Sequence, residues 1–177
     1  MPKIYILLSQ TGTIPSKMLK IYTHAEFNHV SISMGFGLDE MYSFGRRYLR
    51  FPYPGGFVAE GKNRGIFARY PNTQIALLEL EVAQDKFLLL RDRLAEMNAQ
   101  RKLYRYNFKG VFFASIGVVY HKENRYYCSE FVRDILVDCG IAEAKDFPKI
   151  VMPVHFLRLP GIREVYRGKL CQFTALK

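Results

Sequence analysis

The sequence predicts a single α+β domain, 1–177, with a mostly antiparallel sheet and helices packed on it. Three observations predict it. Short β-branched or alternating apolar runs recur along the whole chain. Two stretches, 85–98 and 128–140, carry apolar residues at helical spacing. No internal repeat and no linker interrupts the order.

Taken in order, 3–9 (K-I-Y-I-L-L-S) is a short apolar run that reads as a buried strand. Pro15 fits the first turn of a helix to about Tyr22, with Thr13 and Ser16 as cap candidates. Residues 29–34 alternate: His29, Ser31 and Ser33 share one face, Val30, Ile32 and Met34 the other. The turn G-F-G-L-D then leads into a returning strand over 40–44, a hairpin. Residues 50–74 are dense in Pro and Gly and read as a long loop of the kind that forms lids and binding loops.

A strand over 75–82 follows, then the helix 85–98 with its stripe Phe87, Leu90, Leu94 and Met97. The aromatic stretch 104–120, broken by Gly110 and Gly117, reads as core or cleft wall. After the helix at 128–140 comes a last strand near 164–170.

Composition narrows the function classes. Hydrophobic residues at 49% and charged residues at 24% are globular rather than disordered proportions. The formal net charge of +10 favours anionic partners, yet the basic residues are scattered and no nucleic-acid recognition motif is present, which argues against a nucleic-acid module. Three cysteines without CxxC spacing imply neither a disulfide framework nor a zinc ribbon. No metal-ligand spacing or phosphate-cradling glycine motif occurs, so no cofactor is expected. No run reaches ~18 apolar residues and the N-terminal one is short, so the chain reads as soluble and cytoplasmic.

The chemistry concentrates at Cys128. In N-R-Y-Y-C-S-E-F-V-R-D-I-L-V-D-C-G it opens an amphipathic helix, where unpaired N–H groups stabilise a thiolate. The stripe 128, 131, 132, 135, 136 and 139 also suits a plain core cysteine, the reading given to Cys139, while Cys171 reads as a strand residue. A nucleophilic cysteine needs a base, and His29 at the head of H-V-S-I-S is the first candidate, its small Ser31/Ser33 face admitting a helix end. His155 is a second candidate; His24 and His121 read as solvated. A base histidine needs a third polar group to hold its ring, and the strand D-E-M-Y-S-F-G-R offers Glu40 or Ser43 on opposite sides.

The motifs H-V-S-I-S, M-Y-S-F-G-R and Y-Y-C-S-E-F-V, in this order, resemble the circularly permuted papain-like, NlpC-type cysteine hydrolases, closest to the YiiX/YebB-like branch. The resemblance spans most of the chain but rests on these three segments. It implies a permuted papain-like fold with the nucleophile helix packed on the sheet, Cys128 as nucleophile and His29 as its base. It sets Ser43 nearest the third catalytic position, where the family often has an acidic or amide residue, and places Tyr126 and Tyr127 at the substrate cleft. The implied reaction is acyl transfer through a Cys128 thioester, on a small amide- or ester-containing and possibly anionic substrate. A peptide-like or cell-wall-like amide leads; a lipid acyl group, met through the 51–69 loop, and an idle binding domain are the alternatives.

Overall fold

The structure, a computed structural model, describes residues 1–10, 26–47 and 55–174. The helix expected from Pro15 and the loop histidine His24 lie outside them. The protein is a mixed α+β protein built on one eight-stranded, mostly antiparallel sheet. Its strands are β1 (Lys3–Gln10), β2 (His29–Ser33), β3 (Met41–Arg46), β4 (Gly55–Glu60), β5 (Gln74–Glu81), β6 (Arg105–Tyr106), β7 (Arg125–Tyr126) and β8 (Arg163–Lys169). Across the sheet they run β7-β6-β4-β3-β2-β1-β5-β8, and only β6 and β7 are parallel. The helices are α1 (Gly65–Arg69), α2 (Gln84–Ala99), α3 (Phe108–Ser115) and α4 (Cys128–Asp138). Among the described residues no helix is long and apolar enough to cross a membrane.

Alternation along the strands divides the core between the two sheet faces. Ile4, Ile6 and Leu8 of β1, Val30 and Ile32 of β2 and Phe44 of β3 pack with α2 and α4. Tyr5, Leu7, Met41 and Leu77 turn to the other face, under Phe67 of α1 and Phe173. The stripe expected on α4 is buried throughout, from Cys128 through Phe131, Val132, Ile135 and Leu136 to Cys139. Each of its large side chains contributes about 1.5–3 kcal/mol by leaving water. The helix stops at Gly140, whose φ of +64° suits glycine, and the amides of Gly140 and Ile141 return to the carbonyls of Val137 and Leu136.

Three expectations need correction. The 50–74 segment is not one loop: among its described residues are β4 and α1. Gly55 and Gly56 serve close approach rather than a turn, since a Cβ on Gly56 would lie 2.4 Å from the Tyr104 carbonyl oxygen and one on Gly55 2.8 Å from Tyr106 Cβ. The aromatic 104–120 stretch is not uniformly interior. It forms β6 and α3, and Phe112, Ile116, Val118 and Val119 stand exposed. Cys171 is an exposed residue in a 3₁₀ turn after β8, not a strand residue.

Candidate active site

Cys128 sits at the first position of α4, and the surrounding polar groups hold it there. Glu130, buried in the same turn, accepts the Tyr127 amide at 3.3 Å, Asn107 Nδ2 at 3.5 Å and His121 Nδ1 at 3.1 Å. Asn107 also caps α3 by accepting the Gly110 amide at 2.9 Å, so one network locks the starts of both helices together. Ser129 Oγ donates to the Val151 carbonyl at 2.7 Å. The first-turn amides of α4 have no intrahelical acceptor, and the Tyr127 amide is taken by Glu130, so those of Cys128 and Ser129 border the sulfur.

His29 heads β2, and by alternation it belongs with Ser31 and Ser33, away from the face that packs on α4. The idea that the hydroxyl face admits the helix end is therefore wrong: the helix lies on Val30 and Ile32. The two meet where β2 and β3 part. These strands pair only at Ile32–Tyr42 and Ser33–Met41; beyond, the Val30 carbonyl accepts Ser43 Oγ at 2.8 Å. The imidazole occupies this opening beside Gly45, where a Cβ would stand 3.7 Å from its Cε1. Its Nε2 lies 3.2 Å from Glu60 Oε2, 3.3 Å from Ser43 Oγ and 3.4 Å from Ser31 Oγ, and the Cys128 side chain is near enough to act on the ring electrostatically.

The hydrogen bonds fix the tautomer. Ser43 gives its proton to Val30 and Ser31 gives its own to Glu60 Oε2 at 2.8 Å, so both hydroxyls present only lone pairs to the ring. Nε2 faces three acceptors and must carry a hydrogen, which leaves Nδ1 as the nitrogen available to sulfur. Burial works to lower the imidazole pKa, but the Glu60 carboxylate and, after it, the Cys128 side chain outweigh it and push it up to about 10.

This raised value links to stability with a definite sign. The native ring holds its proton to about pH 10 and the unfolded one only to 6.5. The contribution is therefore complete below pH 6.5 and lost as pH rises to 10. The wild type is expected to lose about 2–4 kcal/mol more than His29→Gln across that window, read from denaturant unfolding. Parallel curves for the two proteins would contradict it.

Glu60 is the residue that sequence reasoning missed. Ser43 does lie at the ring, but the carboxylate there comes from the end of β4, not from Glu40, which is exposed. The other candidates divide. His155 Nδ1 accepts the Met152 amide at 3.0 Å, and His121, though exposed, is tied to Glu130. Tyr126 packs its ring on Phe44 in the core, whereas Tyr127 lines a small cleft with His121, Glu130 and Arg133. Burial, and then neighbours including Glu130 and Cys128, push the Tyr127 phenol up to about 12. Tyr106 is a further neighbour: burial first, and Cys128 second, hold its phenol above the ordinary range.

No protein-family model and no curated protein matches this chain. Among the described residues one group of potential metal ligands occurs, His121, Glu130 and Asp134, with ligand atoms within 4.8 Å of one another. Its members are already engaged, Glu130 by three donors and Asp134 by Arg133 at 2.6 Å.

Proposed function

We propose that the protein is a thiol hydrolase that cleaves an amide of a peptide-like or cell-wall-like substrate through a Cys128 thioester. The observation that carries this reading is the His29 ring, held by the nearly buried Glu60 carboxylate and acted on by Cys128, the first residue of α4. The motif resemblance to permuted papain-like, NlpC-type hydrolases of the YiiX/YebB-like branch supports the same reading, with Glu60 in the orienting position beside Ser43.

In this mechanism the Cys128 sulfur attacks the carbonyl carbon while the oxyanion takes hydrogen bonds from the first-turn amides of α4. The C–N bond breaks and the leaving amine takes the proton from His29 Nδ1. Water then attacks the thioester, returning a proton to Nδ1, and the C–S bond breaks to release the acid. Glu60 holds the ring through Nε2–H and stabilises its charged form.

A panel of electrophilic probes tests the substrate class. Peptide-amide probes are expected to label Cys128, shown by peptide mapping, and lipid-ester probes are not. Labelling by lipid esters alone would replace the amide with an acyl-lipid substrate. Absence of any labelling at Cys128 would favour a binding domain without catalysis.

A further inference from the structure

The surface beside the site is built unlike the rest of the described residues. Along α3 and the turn after it, Phe112 is 65% exposed, Ile116 56%, Val118 47% and Val119 59%, and Leu103 just before is 62% exposed. Phe112 and Ile116 are four residues apart and share one helix face. Gly117, at φ +78° in open space, turns the chain so that Val118 and Val119 follow directly. Water-exposed apolar side chains in this number on one short segment mark an interaction surface rather than ordinary scatter.

Charge identifies the partner. Between 101 and 125 stand six basic residues, Arg101, Lys102, Arg105, Lys109, Lys122 and Arg125, against the single acidic Glu123. Pairing this face with its own copy would bring two such cationic sets together, which opposes a dimer. A lipid leaflet with anionic headgroups offers hydrocarbon for the exposed phenyl and aliphatic groups and phosphates for the surrounding cations. We propose that α3 and the 116–119 turn dock the protein on an anionic lipid surface.

Docking there would bring the cysteine site to the interface. Asn107, the cap of α3, is joined to Glu130 of the Cys128 turn, and Val118 and Val119 line the same cleft as Tyr127. The binding does not depend on catalysis, so its failure and the failure of the hydrolase reading are separable.

The test is co-sedimentation of the full chain with vesicles of phosphatidylcholine alone or mixed with phosphatidylglycerol. Binding is expected only to the anionic vesicles, weakening as salt is raised, and equally for Cys128→Ser. Phe112→Ser should weaken it about tenfold and Lys109→Glu about fivefold or more. Unchanged thermal unfolding of both variants confirms that the fold is intact, as their exposure predicts. Equal binding to neutral vesicles, no binding at all, or binding indifferent to Phe112→Ser would overturn the proposal. So would a concentration-dependent dimer that Phe112→Ser dissociates, or capture by poly-glutamate beads without capture by vesicles.

Discussion

Cys128→Ser is expected to lower hydrolysis of a productive substrate by about 10⁴-fold or more while the protein stays folded. The substitution removes the polarisable sulfur but keeps a small side chain at the first turn of α4, where serine is well tolerated. The helix retains its buried stripe from Phe131 to Cys139 and its Gly140 stop. Circular dichroism and the unfolding midpoint should therefore change little. Turnover over the amide panel gives the rate loss, and intact-mass spectra of quenched reactions should show an acyl adduct in the wild type only. Comparable turnover in both proteins would place the chemistry elsewhere.

The second large effect is expected at Glu60. Glu60→Gln keeps the shape of the side chain but removes the charge that overcomes the burial of His29. The imidazole pKa should then fall steeply from about 10, read from the pH titration of its Cε1 proton by NMR. Turnover should drop by about 10²-fold or more, because general acid–base catalysis by the ring depends on its protonation and orientation. Ser43→Ala should cost less than about tenfold, since it removes one of three acceptors around Nε2 and leaves the carboxylate. A larger loss for Ser43→Ala than for Glu60→Gln would reverse the assignment of the orienting group.

The α4 helix was legible in the sequence because its evidence is local. Apolar residues at 3.6-residue spacing, an acidic residue in the first turn and a glycine stop are all read within a short window. The strands around His29 were legible for the same reason. Glu60 was not, because its role depends on the sheet order, which sets β4 beside β3 and β3 beside the open end of β2. Its strand was also disguised: Gly55 and Gly56 look like turn residues, and only the packing of Tyr104 and Tyr106 shows why no side chain fits. The one available signal was the acidic residue closing the short apolar run F-V-A-E. The α3 segment misleads in the opposite sense. Its apolar composition reads as interior, while its short length and its place near the β6–β7 end of the sheet leave much of it in water.

In the proposed mechanism the imidazole of His29 acts on the sulfur of Cys128. The most direct measurement is the rate of Cys128 alkylation by iodoacetamide at neutral pH, followed by peptide mapping in the wild type and in His29→Gln. Cys128 should react ahead of buried Cys139 and exposed Cys171 in the wild type, and lose at least about tenfold in rate in the variant. Alkylation of Cys128 at the same rate in both proteins would contradict it.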